Sequence, residues 1–507
     1  MAATTASLSA LDMTFWSLES TRSPMHLGAL LRFGPGGPAD PAALATLLAG
    51  RAEQAPRLRQ RVHVPWNPFD PPRWVEDPSF DALRHVRVHG LVGPGALERL
   101  TAELMAAPLA RDRAPWELHL LTDGRPELGF DLLLKLHHAA ADGLRAVEVA
   151  VRLLDRLGRG RALAEAVAPD AVGPDPADPA DQGSAGAGQP LWSGVDRLVR
   201  RTVRSAGILA DVATSVGTRL GQGRRPVVPA PYHGHLVGVP RKPLGSPLLL
   251  PATTPLRTSP STSGEPGRPV VSLASLDLRE LRQLRRTFGG TLHDMTLVVL
   301  AGALRRWFLE LGYDPAARRT QVLVPVSHRP RAGEAELGNQ LSGFLVTLPL
   351  AEADPLVRLH RIHEAMSAHK EKGPLRGAGA VATLPDLLPA GVQRFTGPLL
   401  RPSAALLFDA LISDVPLPGL PFTLGGAPLA AVHPLAPLAH GHRVAVAVSR
   451  LRDKVHLGVH GLADAHHDPR GLTDAVHAEL AELSALTAVA AAPGEGARPE
   501  AVARRRA

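Results

Sequence analysis

LLLKLHHAAADGLRAVEVAVRLL, residues 132–154, runs from an apolar stretch into two adjacent histidines and then into a helical pattern. Counting by twos from Phe130, residues Leu132, Leu134, Leu136 and His138 share one face, so residues 128–138 read as a strand that ends on an imidazole. Asp142 stands four residues after His138, Gly143 follows, and residues 142–158 recover helical spacing. A buried strand that stops on histidine brings the side chain best matched to proton transfer near neutral pH to a sheet edge. Ala139, Ala140 and Ala141 leave room beside the backbone. Gly143 is expected to allow a tight turn, and Asp142 to hold the loop by a hydrogen bond or an ion pair with an arginine.

Other readings of the pair have to be weighed. The chain holds 22 histidines, and one taken at random is usually structural, so spacing alone leaves His138 a candidate. His138 and Asp142 could also be two metal ligands at i, i+4, but no third ligand stands at a characteristic spacing, and no metal is expected. AHHDP (465–469) pairs histidines too, yet no apolar strand precedes it and proline follows, so it reads as a surface turn.

Around this stretch, residues 1–165 read as an α/β domain, with a strand at 81–91 and a helix at 94–109. Residues 168–190 are Pro, Gly, Ala and Asp with almost nothing to build a core, the composition of a disordered linker. Within the connector 166–269, residues 191–220 are expected to form an amphipathic helix. Trp192, Val195, Leu198, Val199 and Val203 lie on one arc, and Arg197, Arg200, Arg201 and Arg204 lie opposite. A second α/β domain is expected over 270–490. It has strands at 270–276, 321–327 and 343–350, helices at 277–288, 291–311 and 354–372, and a hairpin at 444–461 turning at Arg452-Asp453. A helix near 470–488 closes it, and the Ala/Arg tail 491–507 is expected to be disordered.

Composition narrows the function. At 507 residues the chain exceeds one ordinary core. Lysine is rare (Lys135, Lys242, Lys370, Lys372 and Lys454), so arginine carries nearly all the positive charge. A net charge of +8 suits phosphates or anionic lipid without demanding a nucleic acid. With no cysteine, disulfides, thiolate metal sites and a cysteine nucleophile are excluded. Neither a secretory signal nor an uninterrupted apolar run long enough to span a bilayer is visible. The expectation is a cytoplasmic protein whose membrane contact, on the inner face or at lipid droplets, is peripheral.

HHAAADG (137–143) resembles the HHxxxDG motif of the CoA-dependent acyltransferase superfamily, and other segments point to its wax ester synthase/diacylglycerol acyltransferase branch. LSALDMTFWSLESTRSPMHLGAL (8–30) is similar to that family's N-terminal signature, and PRWVEDPSFDALRHVRV (72–88) and PLARDRAPWELHLL (108–121) to stretches before its histidines. LHDMTLVVLAGALRRW, VPVSHRP with LGNQLSGFLVTLPL, ISDVPLPG and HPLAPLAHGHRVAVAVSRLRDKVHLGVHGLAD follow in the family's order.

The resemblance implies an α/β fold of two chloramphenicol-acetyltransferase-like domains with the active site in a tunnel at their interface. It implies acyl transfer from a long-chain acyl-CoA to diacylglycerol or a long-chain alcohol, with no cofactor because the CoA thioester is itself a substrate. Other donors or acceptors, acyl carrier protein or a complex-lipid alcohol, are alternatives, as is a weakly active lipid-binding protein of the same fold. His138 would be the general base, His137 and Gly143 would shape the turn, and Asp142 would be mainly architectural. Glu19, Trp116 (with Pro115), His293, Asp294, Asn339, Ser413 and Asp414 would lie on the substrate side. Two departures stand out. The family's Asn-Asp reads His293-Asp294 here, and its Ser-Asn-Val-Pro-Gly reads Ser413-Asp414-Val415-Pro416-Leu417.

Overall fold

The computed structural model describes residues 6–38, 40–67, 70–156, 255–257, 267–317, 319–327, 341–372 and 407–491. The expected amphipathic helix at 191–220, most of the connector around it, Asn339 and the tail after residue 491 lie outside the described residues.

Local chemistry starts the helices. Asp142 caps Gly143–Leu153, Asp277 caps Leu278–Phe288, and Asp40 caps Pro41–Glu53, which also has proline in its first turn. Ala10–Leu18 and Leu292–Glu310 begin with reciprocal capping boxes, Ser9 with Asp12 and Thr291 with Asp294. The strand expected over 81–91 begins later. Asp81 accepts the Leu83 N–H at 3.0 Å and folds Ala82–His85 into a 3-10 turn, and only Val86–Gly90 is strand. The hairpin is as expected, Val444–Leu451 against Lys454–Ala463, with Arg452 in the left-handed region at φ 56°.

Among the described residues the strands form sheets of seven, six and three. The seven-stranded sheet runs Val86–Gly90, Trp116–Thr122, Phe130–His137, His26–Phe33, Ala427–Leu435, Phe422–Leu424, Asp155–Arg156. The six-stranded sheet runs Leu341–Leu348, Thr320–Ser327, Ala410–Val415, Val444–Leu451, Lys454–Ala463, Arg268–Asp277. Each mixes parallel and antiparallel pairs.

The chain therefore crosses between sheets. After Ala410–Val415 it leaves the six-stranded sheet, adds Phe422–Leu424 and Ala427–Leu435 to the seven-stranded one, and returns at Val444. A division at 165 and 270 does not include this exchange. The seam is apolar: Leu30, Leu97, Met105, Leu121 and Leu133 pack with Val271 and Leu435. At Gly458 the sheets meet backbone to backbone, since a Cβ there would sit 2.1 Å from the Pro434 carbonyl oxygen. No single helix among the described residues is long and apolar enough to cross a membrane, and most apolar side chains of Leu292–Glu310 are buried within the protein, with Leu309 exposed.

Candidate active site

His138 sits one residue past the strand Phe130–His137, and its N–H donates to the Met25 carbonyl at 2.7 Å. Its imidazole stacks on Phe15, with centroids 3.8 Å apart and planes 13° from parallel. Burial pushes its pKa down to about 4, while its own backbone and the Asp142 carboxylate act in the opposite sense. The ring is therefore neutral at pH 7 and holds a lone pair for a proton.

His137 is held in one tautomer. Its Nδ1 accepts the Ala139 N–H at 3.0 Å, so the ring hydrogen is on Nε2, which faces Glu19 Oε2 at 3.4 Å. Glu19, just past the helix Ala10–Leu18, also lies 3.2 Å from His26 Nε2 through Oε1. Arg111 donates to Glu19 Oε2 from Nη2 at 2.7 Å and Nε at 3.1 Å. Burial alone would raise the Glu19 carboxyl, but hydrogen bonds from His137, His26 and Arg111 hold it well below the usual carboxylate range. Glu19 thus braces His137.

Asp142 is buried, and its Oδ1 accepts the Arg145 N–H at 2.8 Å, so the side chain caps the helix that follows the histidines. Gly143 does not make the tight turn expected of it. It is the first residue of an ordinary helix, outside the positive-φ region, and a Cβ there would meet nothing within 4 Å. What glycine leaves at 143 is open space beside the backbone.

Trp116 is buried in the core of the first half. Its ring belongs to the core face with Leu118 and Leu120, stacks on His85 at 4.4 Å, and donates from Nε1 to the Leu58 carbonyl at 2.7 Å. Its neighbour does reach the site, for the Pro115 carbonyl accepts the His137 N–H at 3.0 Å.

In the second half, Asp294 closes the capping box: Oδ2 accepts the Thr291 N–H at 2.9 Å and lies 3.2 Å from His363 Nδ1. Ser413 and Asp414 lie in the last half of the strand Ala410–Val415. His293 and Asp414 meet, Nδ1 to Oδ2 at 3.1 Å, and Arg450 Nη2 donates to the same oxygen at 3.0 Å. Val415 and Leu417, which follow Asp414, pack against the N-terminal core that includes Ala141, Val147 and Val151. The His466-His467 pair is a turn, as expected. Asp464 accepts both backbone N–H groups, and His467 Nε2 lies 2.8 Å from the Tyr313 hydroxyl.

Sequence reasoning missed His26 and Arg111, the other partners of Glu19. A carboxylate ending an apolar helix, followed seven residues later by a histidine opening a strand, was the available signal. Among the described residues no group of three or more His, Asp or Glu is placed to hold a metal ion.

The chain thus folds into two mixed sheets, with strands from the second half added to the first half's sheet and a histidine turn at the end of one strand. Residues 8–296 match the wax ester synthase/diacylglycerol acyltransferase catalytic domain and residues 337–484 the WS/DGAT C-terminal domain, so the chain belongs to the wax ester synthase/diacylglycerol acyltransferase family. It is 28% identical over 490 residues to a probable diacylglycerol O-acyltransferase of Mycobacterium tuberculosis, covering 94% of this chain and 96% of that protein. A putative diacylglycerol O-acyltransferase of the same organism is 26% identical over 492 residues, covering 94% and 89%. In fold, the chain is similar to the wax ester synthase/diacylglycerol acyltransferase from Marinobacter aquaeolei VT8. The TM-score is 0.61 at 22% identity, over 95% of this chain and all of that one. It also resembles the trichothecene 15-O-acetyltransferase TRI3 from Fusarium sporotrichioides, with a TM-score of 0.57 at 12% identity over 95% of each chain.

Proposed function

We propose that the protein transfers a long-chain acyl group from acyl-CoA to the hydroxyl of a lipid alcohol, diacylglycerol or a long-chain alcohol, with His138 as general base. The observation that carries this is the buried, neutral His138 imidazole stacked on Phe15 at the start of an open-sided turn. An alcohol is a poor nucleophile at pH 7, and a positioned base contributes roughly 10²- to 10⁴-fold.

The alcohol proton passes to His138 as its oxygen bonds to the thioester carbonyl carbon. The tetrahedral intermediate then collapses, the C–S bond breaks, and the CoA thiolate takes the proton from the imidazolium. With its pKa lowered to about 4, that imidazolium is a strong acid toward a thiolate, so the second transfer runs downhill. Asp142 anchors the helix behind the turn and Glu19 fixes His137 beside it. Both are positioning residues.

The family relationship supports acyl-CoA and a lipid alcohol as substrates. We extend the reading to a tunnel at the seam between the two sheets and to peripheral contact with a membrane or droplet surface. Thiol release from palmitoyl-CoA, with dioleoylglycerol or hexadecanol as acceptor, tests the reading. Acceptor-dependent release that disappears in His138→Ala supports it. The absence of release with every acceptor overturns it.

A further inference from the structure

We propose that Phe15 is a positioning residue for the acyl transfer: its π face keeps the His138 imidazole in one plane and stabilises the positive charge that the ring takes up with the alcohol proton. This rests on the general-base reading above and deepens it by naming the group that steadies the imidazolium.

Consecutive aromatics meet consecutive histidines. Phe15 and Trp16 adjoin in the helix Ala10–Leu18, and His137 and His138 adjoin at the end of the strand Phe130–His137. Phe15 lies flat on His138, with centroids 3.8 Å apart and planes 13° from parallel, while Trp16 meets His137 tilted, at 4.9 Å and 55°. The Ser9–Asp12 capping box fixes the start of that helix, and Met13 and Trp16 pack along its side with Val62, Trp74 and Ala139 of the histidine turn. Glu19 ties down its far end through His137, His26 and Arg111. The backbone that carries Phe15 is thus held against the turn at both ends and along one side.

An aromatic ring is negative over its face, so a cation within about 6 Å of its centroid is attracted, more strongly where water is excluded. His138 is buried, and water can do little for its imidazolium. The charged and titratable groups acting on the ring are Asp142, from the helix after the turn, and His137, from the strand. The carboxylate favours a charge on His138, and His137 opposes it. Phe15 adds an attraction that exists only once the proton has arrived, which is the stage at which an interaction accelerates the reaction. The phenyl ring itself neither takes nor gives a proton. The same helix shows the arrangement with a permanent cation, for the Arg111 guanidinium carbon lies 4.6 Å from the Trp16 ring centroid.

Phe15→Leu keeps the apolar bulk and removes the π face, whereas Phe15→Tyr keeps both. In the full chain carrying isotope-labelled histidine, the His138 Cε1 resonance is assigned by its loss in His138→Ala, and its protonation is followed by NMR as the pH is lowered from neutrality. In Phe15→Leu the onset of protonation should move down by about one pH unit, and kcat at neutral pH should fall about 5-fold with KM for palmitoyl-CoA unchanged. Phe15→Tyr should hold both near wild type. If the leucine variant does not fold, Phe15→Met provides the same comparison. An onset that stays in place or rises without the π face overturns the proposal, as does unchanged kcat in a variant that turns over, or a tyrosine variant no better than the leucine one. The two readings fail separately. A lowered onset in a protein whose wild type releases no thiol with any acceptor still supports the ring contact and leaves acyl transfer as the part that is wrong.

Discussion

His293 Nδ1 lies 3.1 Å from Asp414 Oδ2, although 121 positions separate the two residues in sequence. These are two positions at which the resemblance implies asparagine, and in the fold they touch. An imidazole at 293 gives a carboxylate at 414 a donor, and Arg450 supplies the neutralising charge. The two changes therefore act together. Both groups are partly exposed, so the coupling should be about 1 kcal/mol. Urea unfolding of H293A, D414A and the double variant should show that the double loses less stability than the sum of the singles. Strict additivity would mean the contact contributes nothing.

His138→Ala should lower kcat by at least roughly 10²-fold with little change in KM for acyl-CoA, because the ring is needed for proton transfer rather than for binding. Steady-state kinetics with hexadecanol would read this. The variant should remain folded, since the ring's main neighbour, Phe15, is only partly buried.

Asp142→Ala should cost about 1 kcal/mol of stability through the lost helix cap and should also reduce turnover, as the turn it anchors carries the base. Asp142→Asn keeps the capping oxygen and should recover most of both. Turnover still missing in a stable Asn variant would mean that the carboxylate charge itself acts on His138.

Glu19→Leu should cost about 3 kcal/mol or more, because it strips His26, His137 and Arg111 of a shared buried partner. The loss of kcat should exceed that of a cap mutant of equal destabilisation, since His137 Nε2 loses its partner and the ring beside His138 is no longer braced. Thermal melts alongside kinetics would separate the two effects.

Acid should destabilise the protein well above the carboxylate range. Burial lowers the pKa of His138 to about 4 from 6.5 and lowers those of His442 and His460 as well. The unfolded chain therefore binds more protons than the native one below about pH 6.5. This stability is complete above that pH and is lost as pH falls toward 4. His138 alone should remove about 1.4 kcal/mol per pH unit across that window. Urea midpoints at pH 7.5 and 5.0 would show it, and His138→Ala should flatten the slope.

The sequence determined the local structure that makes the base. Alternating leucines set the strand, three alanines and a capping aspartate set the turn and the helix start, and His138 had to stand between them, because each of these acts over a few residues. The hairpin and the second-half helices were legible for the same reason. The rest depends on residues far apart in sequence. Glu19 gains its meaning from His26, Arg111 and His137, Trp116 packs into the core with Leu118 and Leu120, and Ala427–Leu435 joined the other half's sheet. Gly143 conserves space instead of bending the chain. Periodicity reports which face of an element is apolar but not which element will cover it. Hydrogen bonds between distant side chains depend on that choice, so only the tertiary structure decided that His293 and Asp414 would share a proton donor and a carboxylate.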